Sequence, residues 1–561
     1  MSAALPGIRQ LRSYERGWLP KDIVAGLILT ALLVPQGMAY AELAGLPAIT
    51  GLYTSILCLL GYAIVGPSKI LVLGPDSSLG PMIAATILPL AGAGGDPARA
   101  VALASLLALM VGGIAILTGV AGLGFIADLL SKPTQIGYLA GLALTIVVGQ
   151  LPKLFGFSVD ADGLVAEARA FAHGVAAGET VAAALAVGVV ALVVILVLHR
   201  WLPRVPGVLV AVILSIAAVV AFDLAAHGVS LVGTLPKGFP PFTIPDVHVS
   251  DLPLLVGGAF GIVLVSLADT IATASAFAAR TGQEVRASQE MVGIGVANVA
   301  AGLFQGFPVS TSGSRTAVAE QAGAKTQLTG LVGALTIAAM LLFVPGLLRN
   351  LPQPTLAAIV IAASLSLADV KGLRRLWLVR RTEFALAIAA FLGVAFLGVL
   401  AGIAIAVALS ILNVFRRAWW PYSTTLGRVE GVPGYHDVTS YPDAERIDGA
   451  VILRFDAPLF FANTRSFRER IREIAAADPR PRWIIVAAEP ITDVDTTAAD
   501  MLEELDVALN AVGIALVFAE MKDPVRRKVE RYELTRTIDP AHFFPTIEAA
   551  VAAFRASEPS A

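Results

Sequence analysis

Long apolar runs recur through most of this chain and constrain its fold more than any other feature. Between Ile23 and Val414 many of these runs are about 18 to 25 residues long, enough to cross a hydrocarbon core of roughly 30 Å. Backbone groups inside a bilayer must be satisfied within the protein, so such runs predict helices. Since 57% of all residues are hydrophobic and only 15% are charged, a polytopic α-helical membrane protein is expected.

The apolar runs between polar or Pro/Gly breaks divide into two series of seven. They lie near residues 22–44, 50–66, 76–91, 99–121, 131–151, 180–199 and 206–226, and near 254–279, 288–305, 311–322, 326–348, 355–370, 382–397 and 399–415. The third member of each series is short and has a polar start. Equal halves with a short, interrupted segment in the same place predict 14 spans as a 7+7 inverted repeat, with two half-helices and a site near the midplane.

The chain changes character after Arg417. We therefore expect a cytoplasmic N-terminal segment at 1–21, a transmembrane domain at 22–417 with repeats 22–226 and 254–417, and a small soluble α/β domain at 418–561. In the last part, "GAVILRFDAPLFFANT" predicts two strands around a turn. Further strands are predicted in "RWIIVAAEPIT" and "IALVFAEM", and helices in "SFRERIREIAAAD" and "TAADMLEELDVALNAVG".

Charge sets the expected orientation and excludes some classes of protein. Lys and Arg are far more frequent in the loops that an inside N-terminus makes cytoplasmic, so both termini are expected in the cytoplasm. The net charge of -2 argues against a nucleic-acid binder, and the single Cys58 excludes an intramolecular disulfide. The N-terminus lacks the features of a cleaved signal peptide.

Two polar segments interrupt the apolar pattern at the third member of each series. "VLGPDSSLGPM" (72–82) and "GFPVSTSGSRT" (306–316) combine Gly or Pro breaks with hydroxyl groups, which is typical of a half-helix N-terminus. Free N–H groups and the helix dipole make such an end an anion site. Ser312, Gly313 and Ser314 would supply donors or close backbone approach, and Arg315 a cation. Asp76 either caps its helix or is protonated when an anion binds.

A lone carboxylate inside a predicted span indicates a cation pathway. Asp269 lies well inside its apolar run, and Thr273 follows one turn later on the same face. A proton needs only the carboxylate, whereas sodium needs several oxygen ligands, so H+ and possible Na+ binding at Asp269 and Thr273 both stay open. On the first predicted span, Gln36 and Tyr40 lie one turn apart after a Pro kink and could face the same cavity.

These motifs resemble those of the SulP (sulfate permease) anion transporters. "VPQGMAYAELAGLPAITGLYTS" resembles the family's first span, "LGPDSS" its third and "GFPVSTSGSRTAVAEQAGAKTQLTGL" its tenth. The resemblance implies core and gate domains, an elevator motion and a homodimer. It places the anion site at Gln36, Tyr40, Asp76, Ser77, Ser78, Ser312, Gly313, Ser314 and Arg315, and the coupling position at Asp269 with Thr273. The charge of Asp76 leaves sulfate, bicarbonate and C4-dicarboxylates open.

The soluble part resembles the STAS domain that follows SulP transport domains, with "DVDTTAADML" at its strand-to-helix loop. The resemblance makes Thr496 a phosphorylation candidate, although we expect Thr496 or Thr497 to cap the following helix. A cytoplasmic partner of this domain is a further possibility that the sequence leaves open.

The expected function is secondary active transport of a small anion across a bacterial inner (plasma) membrane. No Walker motif or nucleophile-His-acid arrangement occurs, and the six histidines are dispersed, so no enzyme, no metal site and no cofactor beyond a coupling ion are expected. An uncoupled anion exchanger or channel is the first alternative. A membrane-anchored STAS signalling protein is the second.

Overall fold

The computed structural model describes residues 6–8, 14–92, 96–125, 130–161, 163–202, 205–281 and 285–557. The chain forms two compact units, Met1–Ser410 and Ile411–Ala561.

A helix lies within each interval of the first apolar series. These helices are α1 (Leu19–Leu43), α2 (Ala48–Val65), α3 (Gly80–Ala91), α4 (Pro97–Val120), α5 (Lys132–Phe155), α7 (Ala182–Trp201) and α8 (Gly207–Phe222). A short helix, α6 (Leu164–Ala176), lies between the fifth and sixth intervals, in a stretch where the sequence predicts a loop. Glu167, Arg169 and His173 interrupt this helix, so it does not appear as an apolar run.

The second series has the same plan. Its helices are α9 (Leu252–Thr281), α10 (Ala287–Gly302), α11 (Gly313–Gln321), α12 (Leu328–Phe343), α13 (Gln353–Leu365), α15 (Arg381–Leu397) and α16 (Val399–Trp419). An unpredicted helix, α14 (Val370–Val379), carries three basic residues and no buried one. Within the described residues, eight helical stretches are long and apolar enough to cross a membrane, and one of them, Gln353–Val379, contains both α13 and α14. The remaining helices of the two series are shorter.

The two shortest members of the series follow a pair of two-residue strands. Strand β1 (Leu73–Gly74) precedes α3, β2 (Ser310–Thr311) precedes α11, and the two strands pair antiparallel. The predicted start of the third interval at residue 76 is therefore wrong by four residues, because Asp76 to Leu79 form a turn and the helix begins at Gly80. The pairing brings together segments that are more than two hundred residues apart in the chain.

The helices of the first unit approach one another closely at small residues. A Cβ added to Gly51 on α2 would lie 1.9 Å from the Gly37 carbonyl oxygen on α1. A Cβ on Gly137 in α5 would lie 2.0 Å from the Ala387 carbonyl oxygen in α15. Membrane helices have no hydrophobic driving force toward each other, so small residues that allow close contact are a main source of their packing energy.

The second unit is a sheet with helices on its faces. Its strands are β3 (Ser423–Arg428), β4 (Tyr435–Asp437), β5 (Ala450–Phe455), β6 (Trp483–Ala487), β7 (Ala515–Ala519) and β8 (Phe543–Phe544), in the order β4-β3-β5-β6-β7-β8. Strands β5 to β8 pair in parallel, and β3 pairs antiparallel with both β4 and β5. The helices are α17 (Thr464–Ala475), α18 (Thr496–Asn510), α19 (Asp523–Arg531) and α20 (Ile547–Ala556).

Two sequence expectations for this unit are wrong. The segment "GAVILRFDAPLFFANT" forms one strand, β5, and its second half contributes only an isolated bridge between Leu459 and Val494. The cap of α18 is Asp495, whose carboxylate accepts a hydrogen bond from Ala498 N at 2.8 Å. Thr496 and Thr497 are exposed. Asp is at least as good an N-cap as Thr and stands one residue earlier.

The carboxyl group of Asp506 on α18 makes a pH-dependent contribution to the free energy of unfolding of this unit. Its side chain is buried, and Asn510 Nδ2 donates to its Oδ2 at 3.0 Å. Burial raises the pKa of the Asp506 carboxyl to about 6, against the opposing effect of Asn510. A folded-state pKa above the unfolded value of about 3.9 means that the folded unit binds the proton more tightly. Stability from this group is therefore greatest at low pH and falls as the pH rises through 6.

We expect Asp506→Asn to stabilise the isolated soluble unit at pH 7.5 by about 1–3 kcal/mol, because the amide removes a buried charge. The gain should shrink toward zero at pH 4.5, where the carboxyl is already protonated. Urea unfolding at both pH values measures it, with exposed Asp500→Asn on the same helix as the control. An equal gain at both pH values would contradict this account.

Candidate functional site at the paired half-helices

The strand pair fixes where the two half-helices begin. Leu73 pairs with Thr311 and Gly74 with Ser310. Ser312 N donates to the Val72 carbonyl oxygen at 3.0 Å, and Thr316 Oγ1 accepts from Val72 N at 3.1 Å. These bonds satisfy backbone groups that neither half-helix can satisfy. The start of α11 and the turn before α3 therefore lie beside each other.

The start of α11 combines a capped end with exposed groups. Ser312 is the N-cap, and its Oγ accepts from Arg315 N at 3.4 Å and lies 3.1 Å from Ser314 Oγ. Gly313 and Ser314 are exposed, whereas Arg315 and Thr316 are buried. An exposed helix N-terminus presents unsatisfied N–H groups and the positive end of the helix dipole. This end of α11 can bind an anion.

Asp76 does not cap α3 as one of the two sequence hypotheses proposes. Its Oδ1 accepts from Ser78 N at 2.9 Å and from Ser78 Oγ at 2.7 Å, within the turn that precedes the helix. The helix N-cap is Leu79, which has no side-chain cap. The neighbouring Ser77 and Ser78 are buried, while Asp76 is half-buried. The Asp76 carboxylate thus stabilises a turn and still reaches other groups of the site.

Arg315 points into the protein. Its side chain is 1% exposed, and its Nη2 lies 3.7 Å from Asp76 Oδ2. None of its three guanidinium nitrogens makes a hydrogen bond to a described residue. Ser310 Oγ is likewise buried without a hydrogen-bond partner among the described residues. The Arg315 guanidinium and the Ser310 hydroxyl group are therefore buried hydrogen-bond donors that no described residue satisfies.

Asp269 on α9 joins the same cluster from a third element. Its Oδ2 lies 3.5 Å from Ser78 Oγ, and its Oδ1 accepts from Gln135 Nε2 on α5 at 3.2 Å. Thr273 follows one turn later, with its Oγ1 3.8 Å from the point where a Cβ on Gly313 would lie. The structure therefore brings Asp269 and Thr273 to the starts of both half-helices.

The two residues of α1 that the sequence predicts for the site, Tyr40 and Gln36, lie next to this cluster. Tyr40 is buried, its hydroxyl group interacts with the Ser77 side chain, and it lies within electrostatic range of Asp76 and Arg315. Gln36 is half-buried one turn earlier on the same helix. Tyr40 is thus directly part of the cluster, with Gln36 beside it.

Sequence reasoning misses several residues that shape the site. Gln135 stands in the first turn of its helix, where a polar residue is ordinary, so nothing in the sequence marks it as the partner of Asp269. Two buried carboxylates hold the loops beside the half-helices. Glu290 accepts from Tyr62 OH at 2.6 Å and also bonds Ser68 Oγ, in the loop that leads to β1. Asp22 accepts from Lys325 N at 2.6 Å, in the loop that follows α11.

Among the residues that the structure describes, no group of three or more His, Cys, Asp or Glu side chains could hold a metal ion. The chemistry available at this site is electrostatic: helix N-termini, hydroxyl groups and a guanidinium for an anion, and carboxylate and hydroxyl oxygens for a small cation.

Known families match both units. The profile of the Sulfate permease family matches residues 19–390, and that of the STAS domain matches residues 441–550. This chain belongs to the sulfate permease family. A probable sulfate transporter of Mycobacterium tuberculosis (strain CDC 1551 / Oshkosh) is 43% identical over 98% of both chains. Probable sulfate transporter 3.3 of Arabidopsis thaliana is 31% identical over 99% of this chain and 91% of its own length.

Solved structures of transporters share the fold. Murine solute carrier 26 family member A9, an anion transporter in the inward-facing state, superposes with a TM-score of 0.90 at 25% identity, over 99% of this chain and 94% of its own. The transmembrane domain of a cyanobacterium bicarbonate transporter gives a TM-score of 0.61 at 20% identity, over 71% of this chain and 98% of its own. The chain is thus a multi-pass membrane transporter of this family with a C-terminal STAS domain.

Gly74 gives a way to move Arg315, because the atoms nearest to an added Cβ belong to side chains. That Cβ would lie 2.7 Å from Arg315 Nη1, the far end of a flexible side chain, and 3.3 Å from Leu33 Cδ2 on α1. If the cluster binds sulfate, we expect Gly74→Ala to keep the fold and to weaken that binding roughly tenfold, because charged hydrogen bonds from a displaced guanidinium are lost. Sulfate-dependent thermal shifts of the purified protein measure this.

Two further glycines serve as controls for that variant. Gly51→Ala should lower the yield of folded protein, because its Cβ would meet backbone at 1.9 Å. Gly257→Ala on α9 should change neither the yield of folded protein nor sulfate binding, since nothing lies within 4 Å of its Cβ position. Unchanged sulfate binding in Gly74→Ala would show that Arg315 does not contact the anion.

Proposed function

We propose that this member of the sulfate permease family is a secondary active transporter that couples a small anion to a cation bound at Asp269. One observation carries the proposal. An exposed helix N-terminus at Gly313 and Ser314 lies beside a half-buried carboxylate, Asp269, between two half-helices whose starts are joined by strands. An anion and a cation can bind there close enough to stabilise each other, which is what coupled transport requires.

Sulfate is the first candidate substrate. The relatives from Mycobacterium tuberculosis and Arabidopsis thaliana, which match nearly the whole chain, are named as probable sulfate transporters. Bicarbonate is a candidate because a fold neighbour of low sequence identity is a bicarbonate transporter. C4-dicarboxylates are candidates because the acidic Asp76 follows the "GP" of the predicted third span. All three anions suit a site lined with hydroxyl and N–H donors. The extent of the sequence match favours sulfate.

A proton is the simpler coupling ion at Asp269. The carboxylate already accepts from Gln135 and lies near Ser78, and those donors leave less room for the several oxygen ligands that sodium needs. Of the site residues predicted from the sequence, Thr273 is the one expected to supply a second oxygen ligand to a sodium ion at Asp269. Both ions bind through the carboxylate, so Asp269 is the coupling residue in either case.

The transport cycle that suits this architecture is an elevator motion of a core domain against a gate domain. We infer fourteen spans in two inverted repeats of seven, a homodimer, and a bacterial inner membrane with both termini in the cytoplasm. The matching interval pattern of the two halves and the basic residues of the predicted inner loops support this arrangement.

Uptake into proteoliposomes tests the function. We expect labelled sulfate to accumulate when an inward proton gradient is imposed, and Asp269→Asn to remove the gradient-driven part, reducing it at least tenfold. The amide keeps the size of the side chain and one acceptor oxygen but cannot take up a charge-compensating proton. Bicarbonate and fumarate are measured in parallel, with proton and sodium gradients applied separately.

Glu42→Gln is the matched control, because this half-buried carboxylate on α1 bonds Gln353 and not the cluster. Thr273→Ala separates the two ions: it should impair sodium-driven uptake strongly and proton-driven uptake little. Uptake that ignores both gradients and survives Asp269→Asn would instead identify an uncoupled exchanger or channel.

A further inference from the structure

The Arg315 guanidinium has a charge partner but no hydrogen bond to any described residue. Asp76 Oδ2 lies 3.7 Å from its Nη2, beyond hydrogen-bond distance, and its nitrogens contact no acceptor among the described residues. A guanidinium has five N–H donors, and leaving them unsatisfied in a buried place is costly. An acceptor that bonded Arg315 more closely than Asp76 does would therefore gain binding energy.

Asp76 is the more accessible member of the pair. The Asp76 side chain is 16% exposed and that of Arg315 only 1%. Its Oδ1 is already bonded to Ser78, and its Oδ2 faces the guanidinium. An anion arriving at the exposed N-terminus of α11 thus has to compete with the Asp76 carboxylate for Arg315.

With both carboxylates ionised, the cluster carries more negative than positive charge. Asp76 and Asp269 then bear two negative charges and Arg315 one positive charge, so the formal sum is -1. Ser78 Oγ lies 2.7 Å from Asp76 Oδ1 and 3.5 Å from Asp269 Oδ2, and its single proton can serve only one of them.

Among the residues that the structure describes, the other ionisable groups that interact with this cluster carry no compensating charge. Those within electrostatic range are Tyr40 on α1, Cys58 on α2 and Tyr138 on α5, which are neutral phenol and thiol groups. An added sulfate would bring the sum to -3 at membrane depth, where uncompensated charge is expensive. Charge must therefore be neutralised before or while the anion binds.

We propose that Asp76 is a tethered counter-ion for Arg315, and that a proton must bind Asp76 before the anion can take its place. The inference rests on the proposed function and adds the residue that makes anion binding proton-dependent. The carboxylate takes up one proton and becomes a neutral carboxyl, which can donate to the anion. The released guanidinium then bonds the anion directly. Asp269, held by Gln135, remains the coupling site.

Sulfate binding to the purified full-length protein between pH 5.5 and 8.5 tests the proposal, since the charge of sulfate is constant over this range. In Asp269→Asn, whose coupling site cannot take up a proton, we expect the affinity to fall by up to about tenfold per pH unit on the alkaline side, as one linked proton requires. Adding Asp76→Asn to that variant should make the affinity the same at every pH, because both amides are permanently neutral. Asp76→Glu should keep the pH dependence, as should the control Glu42→Gln.

A second measurement does not depend on any variant folding. Sulfate binding to the wild type in a weakly buffered solution at pH 8 should take up at least one proton per anion bound, beyond that of a sulfate-free control. Proton uptake near zero would overturn the proposal, as would a pH dependence that Asp269→Asn alone abolishes or one that Asp76→Asn fails to remove from Asp269→Asn. A wild type that binds no sulfate, bicarbonate or fumarate at any pH would contradict the proposed function itself.

Discussion

The antiparallel pairing of β1 with β2 is the constraint on which the rest of the site depends. The segments that lead into two half-helices inside a bilayer have backbone groups for which hydrocarbon offers no partner. Leu73 and Gly74 pair through their backbone with Thr311 and Ser310, so these segments satisfy each other. The same bonds place the start of α11 beside the turn that begins at Asp76. The need to satisfy the backbone and the geometry of the binding site are thus met by one structural element.

Charge placement explains why this element suits transport. Helix N-termini and Arg315 attract an anion, whereas ionised Asp76 and Asp269 repel it. In the proposed function, an anion would therefore bind well only together with a cation, which would prevent either from moving alone. Ser78 lies between the two carboxylates, and Tyr40 and Gln135 lie beside them without adding charge. The proposed coupling would thus depend on the charge of the whole cluster.

The sequence predicts much of this arrangement, because polar and charged residues that are costly inside a bilayer stand out in apolar runs. A carboxylate in an apolar run marks Asp269, and paired polar interruptions mark the half-helix starts. Positions that depend on tertiary contact leave no such mark. Gln135 bonds Asp269 from 134 residues away and looks like an ordinary first-turn residue. The start of α3 at Gly80 depends on a turn that Asp76 closes with Ser78, which competes with helix capping by the same side chain.

Asp22 is a second residue whose tertiary contacts cannot be predicted from the sequence. An acidic residue in the first turn of α1 is unremarkable, since it complements the helix dipole. In the structure its carboxylate instead accepts from the backbone of Lys325 and Thr326 and from the hydroxyls of Thr326 and Thr329, at the start of α12. It thus ties the segment between α11 and α12 to the first helix of the chain's first series. Glu290 holds Ser68 in the loop before β1. The segment before β1 and the segment after α11 are therefore each held by a buried carboxylate that the sequence presents as an ordinary charge.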